Sequence, residues 1–221
     1  RHSVNFVIDW IKELTTHYGI KEIEFHDDQF MADSSHVIEF CNRLLDEKIR
    51  IKWWVPSGLS AWLLDAPVIK KMSESGMYRA TIPIESGSPE VIKFIRKNID
   101  LEKAREVIRL FNENGVFTGG IFIIGFPDET RADIEKTKDF SVSCGLDFAT
   151  FYICQPYKGS DLYCYYLENR IFETGEDLQR TSTILSSKYD TRFFKAEELN
   201  ALRLQLENFF VKEKIKGLFN L

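Results

Sequence analysis

The chain has 221 residues, of which 44% are hydrophobic and 29% charged, and its formal net charge is −5. A chain of this size and composition is typical of one well-buried globular domain with room for an extension. The negative charge gives no electrostatic case for nucleic acid or an anionic membrane as a partner. No apolar run is long enough to span a bilayer, so the totals argue against a membrane protein.

The four cysteines, Cys41, Cys144, Cys154 and Cys164, are too sparse for a disulfide scaffold and lack the spacing of zinc or cluster ligands. Cys41 and Cys144 fall on apolar faces of predicted helices, where free cysteine usually packs as a small core residue. We therefore expect a reducing, cytoplasmic location. The chain does not start with Met and no signal peptide opens it, so we expect an internal piece of a longer protein.

Helical and strand patterns alternate through the first half of the chain. Ser3 can cap a helix whose apolar residues recur at helical spacing, and Gly19 can end it. Asp33 or Ser34 starts a second helix. The elements predicted here are, in order, a helix over 4–18, a strand over 20–26, a helix from 33 or 34, a strand over 49–55, a helix over 67–75 and a strand over 78–84.

The second half continues this alternation. Pro89 suits the first turn of a short helix, and Gly115 and Gly145 end two longer helices. The elements predicted here are a helix over 89–95, a helix from 101, a strand over 116–124, a helix from 130 to 144, a strand over 148–154, a short helix after 160, a polar stretch over 173–190 and an amphipathic helix over 197–216. The buried side of that last helix is predicted to comprise Leu199, Leu202, Leu206, Phe209 and Phe210.

Five strands with intervening helices predict an α/β fold with a parallel sheet and right-handed crossovers. The strands are apolar on both faces, as expected when helices cover one side and a barrel interior the other. We predict a TIM-like partial barrel over 1–168 and a C-terminal extension over 169–221 that contains the long helix.

Polar or turn-forming residues follow each predicted strand. In a parallel βα fold the carboxyl ends of the strands form the rim where ligands bind. Segments 78–88 and 119–130 show this best, because each is an apolar strand that breaks into a glycine turn with an acid beside it. The residues at the rim are Asp27 and Asp28, Ser57, Glu85 and Ser86, Gly125 and Phe126, and Gln155 and Pro156.

Simpler interpretations exist for single members of this set. Ser57, Ser86 and Pro156 could each serve only a cap or a turn. Turn chemistry does not, however, require an acid at both Asp27 and Glu85. A metal site with His26 is disfavoured, because strand alternation directs neighbouring side chains to opposite faces.

Six segments together resemble the radical S-adenosylmethionine (SAM) enzymes, in order and spacing. The nearest branch is one whose members often carry a cobalamin-binding domain upstream, a group that includes proteins similar to anaerobic magnesium-protoporphyrin ester cyclases. The segments are 23–30 (IEFHDDQF), 56–59 (PSGL), 76–79 (GMYR), 84–88 (IESGS), 122–130 (FIIGFPDET) and 155–163 (QPYKGSDLY).

The resemblance implies roles in binding SAM for the rim residues. Asp27 and Asp28 correspond to the strand-end turn that meets the methionine amino group. Lys97 stands where several members place a basic residue against the methionine carboxylate. For the adenosine part, Glu85 corresponds to the contact with the ribose hydroxyls, Gly125 and Phe126 to the turn along adenine, and Pro156 to the residue that closes that side, with Ser57 and Ser86 beside them.

The resemblance also implies cofactors and chemistry. In this family three cysteines in a Cys-x-x-x-Cys-x-x-Cys loop hold a 4Fe-4S cluster, which takes an electron from an external donor and cleaves SAM to a 5′-deoxyadenosyl radical. That radical removes hydrogen from the substrate, here expected to be a small molecule. The loop is absent and Ser60 replaces a common arginine. The chain therefore resembles strands two to six of a six-stranded (β/α)6 partial barrel, and we expect it to be inactive alone.

Two other functions stay open from the sequence. One is a SAM-independent, metal-dependent lyase that uses Asp27, Asp28 and Glu85. The other is a non-catalytic barrel used for binding. Because the partial barrel lacks strand one, the strand over 20–26 has an unpaired edge, and we expect the piece to self-associate or to be only marginally stable.

Overall fold

A computed structural model describes residues 2–171 and 184–219, which form an α/β fold. Within these residues the helices are α1 Val4–Tyr18, α2 Ser34–Asp46, α3 Ala66–Glu74, α4 Pro89–Phe94, α5 Leu101–Glu113, α6 Arg131–Ser143, α7 Asp161–Glu168 and α8 Ala196–Phe219. The strands are β1 Glu22–Glu24, β2 Lys52–Val55, β3 Met77–Glu85, β4 Phe117–Ile124 and β5 Phe148–Ile153. Most of the predicted polar stretch over 173–190 lies outside the described residues.

Helix ends follow the predicted capping residues. The Ser3 hydroxyl accepts a hydrogen bond from the backbone N–H of Phe6, and Gly19 ends α1 with a φ of 64°. The Asp33 carboxylate accepts from two backbone N–H groups at the start of α2. These caps satisfy backbone groups that the helix itself leaves unpaired, which is why the sequence predicted the boundaries well.

The strands form one five-stranded sheet in the order β1-β2-β3-β4-β5. Strand β1 pairs parallel to β2, and β2 pairs parallel to β3, with an irregularity at Trp53 and Trp54. This confirms the predicted parallel sheet and its crossover helices. Strand β1 is shorter than predicted because it stands at the sheet edge, where Glu22 and Glu24 are exposed. The expectation that both faces of every strand are apolar is therefore wrong for β1.

The first of two compact units comprises Arg1–Pro83 and Ile99–Gly119. Its core contains Trp53, which is fully buried and whose indole N–H is bonded to Ser75. The rings of Phe25, Phe30 and Phe40 surround Trp53 with centroids 5.5 to 5.9 Å away. Trp53 is thus a packing residue.

The second unit comprises Ile84–Asn98 and Gly120–Leu221. Helix α8 packs against β5 and α6. Three residues of its predicted apolar side are buried and two are half-buried, so α8 packs on the side of the strands. The first three are Leu199, Leu206 and Phe210, and the other two are Leu202 and Phe209.

The β5 edge in this unit has a partner segment. The backbone N–H of Ile153 donates to the carbonyl of Ile184 at 2.8 Å.

Among the described residues, no helix combines the length and the apolar character that a membrane span requires. The predicted domain boundary after residue 168 stays a prediction.

Candidate functional site

The ends of β1 and β2 meet through Asp27 and Ser57, both in the first unit. The Ser57 hydroxyl donates to the backbone carbonyl of Asp27 at 2.5 Å, and the Asp27 carboxylate accepts from the N–H of Gln29 at 2.9 Å. The side chains of Asp27 and Asp28 are exposed. His26 turns away from them and contacts Glu24 at 3.2 Å. The structure therefore brings Asp27 and Ser57 together and leaves both acidic side chains accessible.

Glu85 is the last residue of β3 and lies in the second unit. Its side chain is 6% exposed and pairs with the ammonium group of Lys97, which is 53% exposed. Its φ of 67° lies in the left-handed region, which is uncommon for residues other than glycine. A buried charged carboxylate needs a partner, and Lys97 supplies it. The two residues that the resemblance assigns to ribose and to the methionine carboxylate are thus in direct contact.

Ser86, the next residue, is fully buried. Its hydroxyl is 3.0 Å from that of Thr137 and accepts from the backbone N–H of Ser88 at 3.1 Å. These contacts use its hydrogen-bonding groups within the protein, so a direct contact with ligand stays a prediction.

The turn after β4 begins at Gly125, where a φ of 82° favours glycine. The backbone N–H groups of Gly125 and Phe126 both point to one carboxylate oxygen of Glu129. A Cβ at Gly125 would lie 3.1 Å from the side chain of Leu199 in α8, so α8 supports this turn from one side. The turn that the resemblance places along adenine is held in one conformation by Glu129.

Glu129 is a buried carboxyl with unusual surroundings. Burial raises its pKa to about 8, although the two backbone N–H groups act in the opposite direction. Its second oxygen, Oε1, is buried and has no hydrogen-bond partner in the described part of the chain. Asp133, which lies in the first turn of α6, differs: burial is outweighed by hydrogen bonds from Ser88 and Thr130, which lower its pKa. A cavity of about 150 Å³ lies beside both carboxyl groups.

Pro156 follows β5 and is buried, and its role in closing the side of a site stays a prediction. Before it, Cys154 packs with Val91 and Phe126 in a small apolar cluster. Burial, followed by the charges of Glu129 and Glu85, raises the pKa of the Cys154 thiol. Cys154 is therefore an unreactive packing residue, like the buried Cys41 and Cys144.

The structure divides the predicted residues into two sets. Ser57 joins the Asp27 turn in the first unit, and Asp28 follows in the same turn. The second unit holds the set Glu85, Ser86, Lys97, Gly125, Phe126 and Pro156. Sequence reasoning did not assign Glu129 or Thr137 to the site. A signal was present, since Asp133 and Thr137 lie on one face of α6 and Glu129 precedes the helix at the same four-residue spacing.

The resemblance implies two cofactors, a 4Fe-4S cluster and SAM, and the described residues fit only one of them. Within 2–171 and 184–219 no three His, Cys, Asp or Glu side chains are arranged to hold a metal ion. The described residues therefore do not fit a 4Fe-4S cluster. SAM does fit, because the Glu85 carboxylate offers about four acceptor positions for hydrogen bonds. The pair with Lys97 leaves Glu85 able to accept from two ribose hydroxyls.

A parallel βα fold with a carboxylate, a lysine and a glycine turn after its strands defines a class of enzymes that bind their ligand at the strand ends. The family model of the radical SAM superfamily matches residues 2–141. The chain belongs to the radical SAM superfamily, a family of enzymes, and the expected resemblance is confirmed.

Two curated relatives and one solved structure illustrate the match. An uncharacterized methyltransferase of Pyrococcus horikoshii is 33% identical over 97% of this chain and 46% of that protein. The anaerobic magnesium-protoporphyrin IX monomethyl ester cyclase of Rubrivivax gelatinosus is 22% identical over 71% of this chain and 28% of its own length. The radical SAM methyltransferase TsrM from Kitasatospora setae, solved with cobalamin and a 4Fe-4S cluster bound, has a TM-score of 0.63 at 16% identity, covering 69% of this chain and 31% of TsrM.

The structural likeness confirms the predicted partial-barrel fold. The chain spans less than half the length of these relatives.

Proposed function

We propose that this chain is the SAM-binding part of a cobalamin-associated radical SAM enzyme that methylates or otherwise modifies a small molecule. The observation on which the proposal rests is Glu85, a nearly buried carboxylate at the end of β3 that is paired with Lys97. The names of the Pyrococcus relative and of TsrM support a methyl transfer.

The proposed binding roles follow the chemistry of each group. Glu85 accepts hydrogen bonds from the ribose hydroxyls, because its carboxylate has acceptor positions beyond the one used by Lys97. Lys97 neutralises the methionine carboxylate, and its half-exposed side chain can reach a ligand without leaving Glu85. Asp27 and Asp28 have accessible carboxylates for the methionine amino group.

The turn at Gly125 and Phe126 positions adenine in this proposal. Its backbone is held by Glu129 and supported by Leu199, so the surface presented to a flat ring is rigid. Pro156 closes the same side, and Ser57 and Ser86 hold the loops that carry their neighbours. Rigid positioning and the exclusion of water are what the protein contributes when a cofactor supplies the reactive group.

When bound, SAM would supply a methyl group or, on reductive cleavage with release of methionine, the means to abstract hydrogen from a substrate. The electron for that cleavage would come from an external donor. The metal-dependent lyase is disfavoured by the family match and by the lack of a three-ligand metal site among the described residues.

The test uses the full-length protein with air excluded. We expect it to bind S-adenosylhomocysteine in calorimetry and to form 5′-deoxyadenosine from SAM after chemical reduction. Glu85→Gln should weaken S-adenosylhomocysteine binding about 10-fold or more, because a charged acceptor is lost in a buried position. The control Glu102→Gln changes a glutamate whose side chain is 83% exposed and should leave binding unchanged.

Two results would contradict the proposal. The first is a wild-type protein that does not bind S-adenosylhomocysteine. The second is a Glu85→Gln variant that binds it as tightly as wild type.

A further inference from the structure

The loop over 86–88 is pressed against helix α6 more closely than ordinary packing allows. A Cβ added to Gly87 would lie 2.6 Å from the carbonyl oxygen of Lys136 and 2.8 Å from atoms of Thr137 and Phe140. Real Cβ atoms do not approach backbone this closely, so only glycine fits here. The loop and α6 therefore share one tightly defined contact in the second unit.

The donor and acceptor roles of the hydroxyl groups in this contact are fixed. The Thr137 hydroxyl donates to the carbonyl of Asp133 in its own helix at 3.0 Å. With its one proton used, its oxygen must accept, and it does so from the N–H of Gly87 at 3.0 Å and from the Ser86 hydroxyl at 3.0 Å. The Ser86 oxygen in turn accepts from the N–H of Ser88 at 3.1 Å.

A second contact that fixes the loop over 86–88 is made by Asp133, one helical turn before Thr137. The Ser88 hydroxyl does not cap α4 but lies 2.6 Å from a carboxylate oxygen of Asp133 and 2.8 Å from one of Glu90, two acceptors that share its one proton. The other Asp133 oxygen accepts from the N–H and the hydroxyl of Thr130 at the start of α6. Thr137, Ser86 and Ser88 are all fully buried, so any unpaired group here would cost the full desolvation penalty.

This anchored loop directly follows Glu85. With a φ of 67°, Glu85 has a backbone conformation that persists only when its surroundings hold it. The next N–H, that of Ser86, bonds back to the carbonyl of Ile84 at 2.8 Å, which makes the chain turn sharply at Glu85. The direction of the Glu85 carboxylate therefore depends on where the loop is fixed.

We infer that Thr137 is a positioning residue for Glu85: by fixing the loop over 86–88, its hydroxyl aims the Glu85 carboxylate at the ribose and makes the site distinguish ribose from deoxyribose. The inference rests on the proposed function, since it needs Glu85 to bind the ribose hydroxyls. Thr137 itself is buried and does not have to touch the ligand.

The test is a ratio of two dissociation constants, measured by calorimetry on the full-length, cluster-loaded protein with air excluded. The probes are S-adenosylhomocysteine and its 2′-deoxy analogue, so the ratio reports one ribose hydroxyl. For wild type we expect the deoxy analogue to bind about 10-fold or more weakly. In Thr137→Val, which keeps the side-chain shape, the ratio should fall to about 2 or less, because a misaimed carboxylate loses the hydroxyl contact.

Three further variants sharpen the result. Thr137→Ser keeps the hydroxyl and should restore the wild-type ratio. Ser141→Ala removes a buried hydroxyl of the same helix that bonds to the Lys138 carbonyl, and it should leave the ratio unchanged. If circular dichroism shows that Thr137→Val is unfolded, Ser86→Ala takes its place with the same expected ratio.

The outcomes separate the two proposals. A Thr137→Val protein that binds both probes more weakly by the same factor overturns the inference and leaves the proposed function standing. A wild-type protein that binds the two probes equally overturns the role of Glu85, and the inference with it.

Discussion

The ammonium group of Lys97 pairs with the carboxylate of Glu85, although 53% of the lysine side chain is exposed and only 6% of the glutamate. The buried partner gains a counter-charge, while the exposed partner gains little because water already solvates it. The family resemblance assigns these two residues to different parts of SAM. Because Lys97 also contacts Glu85, an experiment has to distinguish binding of the methionine carboxylate by Lys97 from its pairing with Glu85.

Lys97→Gln should separate these roles. We expect a loss of about 1–3 kcal/mol in the free energy of unfolding, since the nearly buried Glu85 carboxylate loses its counter-charge. If Lys97 binds the methionine carboxylate, S-adenosylhomocysteine should bind about 10-fold more weakly, while 5′-methylthioadenosine, which lacks that carboxylate, should bind nearly as before. Calorimetry with both probes measures this, with Lys93→Gln as the control. If both probes bound more weakly by the same factor, Lys97 would act only as the partner of Glu85 and would not bind the methionine carboxylate.

Gly87→Ala should destabilise the protein. The new methyl group overlaps the carbonyl of Lys136 and atoms of Thr137, so α6 or the loop must move, at a cost of about 1–3 kcal/mol. Urea unfolding measures the change. Gly217→Ala is a matched control, because Gly217 lies in α8 with nothing within 4 Å of an added Cβ and should be neutral or stabilising. Equal stability of Gly87→Ala and wild type would show that the loop over 86–88 is not packed as described.

Glu129 should make stability fall as pH rises. Burial raises its folded pKa to about 8 from an ordinary value of 4.5, so between these values the folded state holds a proton that the unfolded state has released. Its stabilising contribution is present below the unfolded pKa and is lost as pH rises through the folded pKa. The slope is at most about 1.4 kcal/mol per pH unit. The neighbouring titratable groups are Asp133, Cys154 and Tyr166.

Glu129→Gln removes this proton and should flatten the fall in unfolding free energy between about pH 5 and about pH 8. Urea unfolding of wild type and variant at both pH values measures the difference. Glu135→Gln, in the following helix α6 and with a side chain that is 53% exposed, should keep the wild-type slope. A slope in Glu129→Gln as steep as that of wild type would exclude Glu129 as its source.

The cysteines should differ sharply in reactivity. Burial raises the pKa of Cys41 to about 11, and burial also raises the pKa of Cys154, whereas Cys164 is exposed on α7. Iodoacetamide at mildly alkaline pH should therefore alkylate Cys164 about 10-fold faster or more, with mass spectrometry locating the label. In guanidinium chloride all four should react alike. Fast labelling of Cys154 in the folded protein would contradict the packing described around Phe126.

Local chemistry made much of this fold predictable. The caps at Ser3 and Asp33 predicted helix starts to within a residue, because each satisfies backbone groups only a few positions away. The glycine turn at Gly125 was predicted for the same reason. Strand β1 was predicted too long, because alternation does not show where a neighbouring strand stops pairing.

The order of strands and helices, the strand-end acids and the family were determined by the sequence itself, because each depends on residues close together in the chain. Only the tertiary structure decided the burial of Glu129 and the bonds from the loop at Gly87 to Thr137, 50 positions further along. The buried face of α6 includes Asp133, Thr137 and Ser141, so apolar periodicity does not show this face or the loop that covers it. That choice depends on long-range packing, and it determines how Glu85 is held.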